Sequence, residues 1–327
     1  MDYLVSILVP IYGVEKYIRR YAISLFEQTY LNIEYIFVND CTNDDSIIIL
    51  ENVINQYPNR QSQIKIIQHE TNKGLGEARN TAVAAANGDY LFHVDSDDYI
   101  DPYCIEKCVK KQLDTNADVV SVNIMKLHSR KNEILELPNY KSPKDLNLAI
   151  INHDVPNNIW GRLIRTSLYK NNGIIVEQSV GMSEDLNVLP RLLYYANTVA
   201  NVNEVLHYYE CSNMSSYTYK FSEIKIKETE KTYNVLLSFF KDKEDVYIKA
   251  INYRFYRAFA DALINSGKSG CHNDFFVRMK NKLKLFHVSS RKLDLPTRFA
   301  LYINNYQLFC FYVRMASFVK RNCIRFL

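Results

Sequence analysis

Gly88-Asp89-Tyr90-Leu91-Phe92-His93-Val94-Asp95-Ser96-Asp97-Asp98 begins on a Gly-Asp turn, runs apolar, and stops on three carboxylates within four residues. The apolar part reads as a buried strand. Tyr99 and Ile100 follow, and Asp101-Pro102 starts a helix. Acids this close repel one another, so the cluster makes sense where a cation sits. A divalent ion is the natural candidate, because Mg²⁺ or Mn²⁺ takes oxygen ligands and needs one or two protein carboxylates beside substrate phosphates. The other reading is a solvated acidic turn that caps the next helix. In open α/β sheets the ligand crevice lies at the carboxyl ends of the strands, which is where these acids fall.

The flanking residues alternate strand and helix. Val5-Ser6-Ile7-Leu8-Val9 is a β-branched run closed by Pro10, and a helical pattern follows from about Val14 to Gln28. Glu34-Tyr35-Ile36-Phe37-Val38 predicts a second strand, with Asp44 and Ser46 as caps for a helix through Ile47, Leu50, Val53 and Ile54. Ile64-Lys65-Ile66-Ile67-Gln68 predicts a third, leading through Asn72-Lys73-Gly74-Leu75-Gly76 into a helix from about Glu77 to Ala86. The run before the acids is the fourth strand, and Asp118-Val119-Val120-Ser121-Val122-Asn123 the fifth. Strands separated by helices of this length predict βαβ units, hence an α/β fold with a mainly parallel sheet.

The turns after the strands carry the chemistry. Pro10-Ile11-Tyr12-Gly13-Val14 lacks the G-x-G-x-x-G of a dinucleotide site, and there is no G-x-x-x-x-G-K-S/T phosphate loop. The strand ends offer an aromatic (Tyr12), an acid (Asp40), a Gly-rich turn with a cation behind it (Gly74, Gly76, Arg79) and the Asp95–Asp98 cluster. A Tyr can stack on a base, an acid can accept from a base edge or a ribose, and an Arg can meet a diphosphate. Singly, each is equally a turn former, a packing residue or a surface charge. Gathered in one crevice, they predict a nucleotide diphosphate held with a metal.

Four segments resemble, in order and spacing, the successive motifs of family 2 glycosyltransferases. They are Val5-Ser6-Ile7-Leu8-Val9-Pro10-Ile11-Tyr12, Val38-Asn39-Asp40-Cys41-Thr42-Asn43-Asp44-Asp45-Ser46, Asn72-Lys73-Gly74-Leu75-Gly76-Glu77-Ala78-Arg79-Asn80 and Asp95-Ser96-Asp97-Asp98. The resemblance covers roughly residues 1–215 and implies the GT-A fold, a Rossmann-like mixed, mainly parallel sheet flanked by helices. It also implies a nucleotide-sugar donor, usually a UDP-sugar, a Mg²⁺ or Mn²⁺ ion, and inversion at the anomeric carbon. By that resemblance Asp40 contacts the uracil, Asp95 and Asp97 the ribose and metal, and Arg79 the nucleotide or its phosphates. Pro10, Tyr12 and Gly74 line the donor site, and Asp98 is a further candidate metal ligand.

A fifth segment, Gly181-Met182-Ser183-Glu184-Asp185-Leu186, predicts a helix with Ser183 as N-cap and two acids in its first turn. Read alone, the acid pair compensates the helix dipole. The family carries a Glu-Asp motif here, which implies Asp185 as general base, with Glu184 orienting it or holding acceptor hydroxyls. Inversion needs one carboxylate to take the acceptor's proton. Trp160, the chain's only tryptophan, packs in the core or lies under the acceptor sugar, the place the family gives it. Two departures stand out. Trp160-Gly161-Arg162 replaces the common Trp-Asn-Lys, so Arg162 is a candidate stand-in for the Lys. Glu210 reverses the charge of a common Arg, leaving His207 or Lys220 to close over phosphate.

The chain thus divides into a catalytic region, 1–215, and a basic helical region, 216–327. The first has a nucleotide-sugar half of about 1–123 and an acceptor half of about 124–215. Helices are expected at roughly Ser222–Lys241, Asp245–Ser266, Asp274–His287 and Pro296–Arg321, with breaks at Ser266-Gly267-Lys268-Ser269-Gly270 and Leu295-Pro296. Residues 1–215 carry 19 Lys and Arg against 27 Asp and Glu, whereas 216–327 carry 21 against 9. The second region therefore faces an anionic partner. Leu308–Val319, followed by Lys320, Arg321 and Arg325, mixes aromatics with cations as an interfacial helix on anionic lipid does. A docked helical subdomain with a solvated basic face is the alternative, and no nucleic-acid module accompanies the charge.

At 47% hydrophobic and 23% charged, the 327 residues are those of a globular protein with a sizeable core. Seven cysteines without metal spacing fit reduced thiols, and no basic leader or apolar run of membrane length occurs. The expectation is a cytoplasmic enzyme, peripheral on the inner face of the membrane, that passes a sugar to a saccharide acceptor, lipid-linked, in surface-polysaccharide synthesis. The alternative is a scaffold of the same fold that binds nucleotide without turnover.

Overall fold

The computed structural model describes residues 3–129, 131–181, 183–211, 223–269, 273–286, 288 and 295–323. They fall into two compact units, Met1–Thr218 and Tyr219–Leu327.

The first unit opens with β1 (Val5–Ile11), α1 (Ile18–Phe26), β2 (Ile33–Asn39) and α2 (Ser46–Ile54). Next come β3 (Ile64–Gln68), α3 (Leu75–Ala85), β4 (Tyr90–His93), β5 (Tyr99–Ile100) and α4 (Cys104–Thr115). It continues through β6 (Val119–Leu127), β7 (Glu133–Leu135), α5 (Pro143–Asn152), β8 (Arg162–Arg165) and α6 (Thr166–Lys170) to α7 (Glu184–Tyr195) and β9 (Val199–Glu210). The nine described strands make one sheet in the order β3-β2-β1-β4-β8-β6-β9-β5, with β7 beside β6. β1 to β4 pair parallel, β8 runs antiparallel to β4 and β6, and β9 is parallel to β6. The sheet is therefore mixed but mainly parallel, flanked by helices.

β1 is buried along its whole length, as a strand between two parallel neighbours must be. Pro10, expected to close it, lies inside. The ladder to β4 ends at Leu8↔His93, whereas that to β2 continues through Pro10↔Val38 to Ile11↔Asn39. The missing N–H thus falls where the strand has one neighbour left. This register brings Tyr12, Asp40 and Asp95 off one edge of the sheet. The caps of α2 also differ from expectation. Asp44 accepts from the Ser46 N–H (3.2 Å), but the Ser46 hydroxyl accepts from the Val14 N–H (3.1 Å) and ties β1's exit to α2.

The second unit is helical: α8 (Glu223–Phe240), α9 (Asp245–Ser269), α10 (Asn273–Leu285), α11 (Leu295–Tyr302) and α12 (Tyr306–Cys323). α9 runs through the expected break at Gly267. A Cβ there would come within 2.7 Å of the Phe309 ring, so the glycine serves close helix packing instead of a turn. The single helix expected after Leu295 is two, parted at 303–305. Phe309 and Val313 of α12 are buried, while Leu308, Phe311 and Met315, one helical stripe, are exposed with Arg314 beside them. No helix among the described residues is long and apolar enough to cross a membrane.

Gly88 shows how tightly β4 is seated against β1. A Cβ on it would stand 2.7 Å from Ser6 N and 2.8 Å from Leu4 O, both backbone atoms. Gly88→Ala should therefore cost about 1–3 kcal/mol, as overpacking does, read as a lowered urea midpoint at unchanged slope. An unchanged midpoint would show that the strands have room to part.

Candidate active site

Asp40, just past β2, is buried and already engaged. Its Oδ1 accepts from the Lys73 N–H (2.8 Å), its Oδ2 accepts from the Gly74 N–H (2.7 Å), and His69 Nδ1 lies 2.7 Å from Oδ1. The carboxylate that resemblance assigns to uracil thus latches the loop entering α3, and Gly74 takes φ +87°, which favours glycine. Tyr12 projects beside it, 54% exposed. Nothing in the sequence marks His69 as Asp40's partner beyond its place after the third parallel strand.

Two contacts bring α3 to the segment ahead of α7. The Asn80 side chain donates to Val176 O (3.0 Å) and accepts from Val176 N–H (2.8 Å), and a Cβ on Gly76 would lie 2.6 Å from Val180 O. Residues 174–177 are accordingly non-regular chain clamped on α3. Arg79, between these contacts, is buried. It donates from one terminal nitrogen to Asp95 Oδ1 (2.8 Å) and from the other to Glu184 Oε1 (2.8 Å) and Asp185 Oδ1. Acids from the turn after β4 and from the start of α7 therefore meet on one guanidinium. Both terminal nitrogens of Arg79, the residue expected at the nucleotide or its phosphates, are held by carboxylates. Three neighbouring acids raise its own pKa well above the ordinary range, against its burial.

Ser183 precedes α7 as expected but does not cap with its side chain. Its φ of +68° turns the hydroxyl away, and only its carbonyl joins the helix, accepting from Asn187 N–H at 2.8 Å. Glu184 and Asp185 then stand at the helix's positive end, where anions are favoured. Asp185 also accepts from the Ile159 backbone N–H, which sets it against the loop that carries Trp160. Burial pushes Asp185 up, opposed by Arg79. Burial and the neighbouring Asp185 push Glu184 up to about 8. Behind the pair lies a small cavity walled by His93, Tyr169, Val176 and Val188.

The acid turn splits in role. Asp95 is 24% exposed at its side chain and Asp97 is half-buried, whereas Asp98 is fully buried. Asp98 Oδ1 accepts from the Glu210 N–H (2.9 Å) and Oδ2 lies 2.9 Å from His207 Nε2. Asp98, the further candidate metal ligand, thus ties the turn to β9 through both of its oxygens. Among the described residues no three His, Cys, Asp or Glu side chains are gathered to hold a metal. Asp95 and Asp97 fit a hard divalent ion of the kind that completes its shell with substrate phosphates and water.

Trp160 is half-exposed and stacks on His207 (4.5 Å, 21°) and Tyr209 (5.0 Å, 20°). Arg162 occupies the position of the common Lys. It is wholly buried and donates to Asn158 O, Pro156 O and Ser121 Oγ, and burial pushes its pKa down to about 10. It braces the Trp160 loop. Glu210 accepts from Arg20 at 3.1 Å, and His207 is buried against Asp98; Lys220 lies outside the described residues.

The fold and its acid-lined edge define a glycosyltransferase of the GT-A type. Residues 6–173, just over half of the chain, match the family described as Glycosyl transferase family 2. The chain belongs to that family and is a nucleotide-sugar glycosyltransferase. It is 27% identical over 245 residues to the glycosyltransferase EpsJ of Bacillus subtilis (strain 168), covering 72% of this chain and 70% of that protein. Over 222 residues it is 29% identical to poly(ribitol-phosphate) beta-N-acetylglucosaminyltransferase TarS of Staphylococcus aureus (strain Mu50 / ATCC 700699), covering 64% of this chain and 37% of that protein. The crystal structure of S. aureus TarS 1-349 in complex with UDP-GlcNAc matches with a TM-score of 0.71 at 22% identity, over 98% of this chain and 92% of that one. The mannosyltransferase PcManGT from Pyrobaculum calidifontis, in complex with GDP-Man and Mn²⁺, matches with 0.54 at 14% identity, over 96% and 88%.

The raised Glu184 makes a stability prediction. A carboxyl whose folded pKa exceeds the unfolded value binds its proton more tightly when folded. Its contribution is complete below the ordinary 4.5 and drains away as pH rises to about 8. Glu184→Gln removes that ionisation, so the variant's Tm should fall less than the parent's as pH rises through this interval. Thermal melts that keep a constant difference between the two proteins across it would count against the assignment.

Proposed function

We propose that the protein is an inverting transferase that moves a hexose or N-acetylhexosamine from its UDP-sugar to a hydroxyl of a saccharide acceptor. The acceptor is lipid-linked and the product belongs to cell-surface polysaccharide. The observation that carries this reading is the meeting of Asp95 and Asp185 on Arg79, which sets a donor-side acid and a base candidate around one pocket. The likeness to TarS, solved with UDP-GlcNAc, supports the choice of donor.

In this mechanism the acceptor hydroxyl oxygen attacks the anomeric carbon opposite the diphosphate. The bond from that carbon to the phosphate oxygen breaks, the hydroxyl proton passes to Asp185, and UDP leaves. Arg79 favours the ionised Asp185 that this transfer needs, and Glu184, protonated near neutral pH, offers a hydrogen bond to an acceptor hydroxyl. Trp160 presents its free face beneath the acceptor sugar. Tyr12, with the loop that Asp40 shapes through Gly74, borders the uridine. Asp95 and Asp97 would hold Mg²⁺ or Mn²⁺, which supplies Lewis-acid stabilisation of the departing phosphate.

Residues 1–123 serve the donor and 124–215 the acceptor. Residues 216–327 hold the enzyme to the inner face of the membrane. The exposed stripe of Leu308, Phe311 and Met315 beside Arg314, in a region of 21 cations against 9 anions, supports an anionic lipid surface as partner.

Asp185→Asn should lower transfer about 10²–10⁴-fold, the usual contribution of a general base, while the Kd for UDP with Mn²⁺ stays close to that of the parent. Undiminished turnover would remove Asp185 from the role. In flotation, the full chain should rise with vesicles containing phosphatidylglycerol at low salt and lose them at high salt. Absence from the vesicles at low salt would reject the lipid partner.

A further inference from the structure

His207 touches both sides of the site. Its Nε2 lies 2.9 Å from Asp98 Oδ2, and Asp98 closes the acid turn by donating its own N–H to Asp95 O at 3.1 Å. Its ring face carries the Trp160 indole at 4.5 Å and 21°, and Tyr209 extends the stack at 5.0 Å and 20°. Both His207 and Asp98 are fully buried, so neither can turn away to water. The strand beneath is pinned as well: Ile100 pairs with His207 and Tyr99 with Tyr208, and those two tyrosine rings stack at 4.5 Å. Opposite, Gly161 at φ +67° brings the Trp160 loop against the imidazole, a Cβ there being 3.7 Å from Nδ1. A buried side chain joined to a turn at its edge and to an aromatic at its face passes a displacement of one to the other, because a packed interior shifts as a body.

We infer that His207 is a positioning residue that couples the two substrate sites, so that a nucleoside diphosphate and metal arriving at the Asp95–Asp98 turn reset Trp160 for the acceptor. This rests on the proposed donor reading, and it adds an order of events: the platform is set by the donor. Neither Asp98 nor His207 touches the reacting atoms.

Because Trp160 is the only tryptophan, its emission reports the platform alone. Titrating the full chain with UDP in the presence of Mn²⁺ should change Trp160 emission with the midpoint that calorimetry gives for UDP. His207→Phe keeps a ring beneath the indole and removes the link to Asp98. In that variant the amplitude should drop at least about fivefold while the UDP Kd stays within about threefold, the signature of lost coupling with binding retained. If Asp98, left buried with the Glu210 N–H but no histidine, prevents folding, the Asp98→Asn, His207→Phe double variant carries the same readout. A full emission response in either folded variant overturns the coupling. So does wild-type protein that binds UDP calorimetrically with no Trp160 response. Wild-type protein that gives no UDP binding heat with Mn²⁺ overturns the donor reading itself, and the coupling falls with it, so the two failures are told apart by calorimetry.

Discussion

One guanidinium holds the catalytic unit's active edge together. Arg79 is drawn from the helix after β3, Asp95 from the turn after β4, and Glu184 and Asp185 from the first turn of α7. Three largely buried carboxylates would drive one another apart, and a single cation with two terminal nitrogens makes their proximity tolerable. Because removal of one partner leaves an uncompensated buried charge, costing about 3–5 kcal/mol in comparable pairs, the arrangement is difficult to dismantle piece by piece. Burial first, and then the neighbouring Asp185, push Glu184 up to about 8.

What brings those four groups together is backbone packing. The parallel register of β1, β2 and β4 delivers their carboxyl ends to one edge, and Gly76 and Asn80 seat the chain leading to α7 directly on α3. Asp40 and Asp98 repeat the same device on either side. Each is a buried acid whose oxygens meet backbone N–H groups and one histidine, and each anchors a loop that borders the site. An enzyme that must orient a nucleotide-sugar benefits from loops set in advance, since orientation lost at the site lowers the rate directly.

Much of the fold could be read from the chain alone. The β-branched runs at Val5, Glu34, Ile64 and Tyr90, each followed by a helical period, announce parallel strands because only crossover helices connect such strands. The edge that bears the site was legible for the same reason. Roles within it were less so. Asp95, Asp97 and Asp98 look alike in a string, yet burial separates the first two, which keep some exposure, from the third, which is sealed on His207. The partners of Arg79 and Arg162, carboxylates for the first and backbone carbonyls with Ser121 for the second, could not be read from the string. The turn expected at Gly267 was lost to helix packing, because a residue without Cβ suits both and only the neighbouring Phe309 decides.

Hydrophobic period, turn residues and acid placement, all local properties, determined the class of fold and the side of the sheet where the chemistry lies. Which acid faces solvent, which cation is shared, and which histidine lies between Asp98 and Trp160 were decided only in three dimensions. The reason is electrostatic: the state and partner of an ionisable group depend on what surrounds it and how much water reaches it. Those neighbours come from residues about a hundred positions away, as Arg79 and Asp185 do.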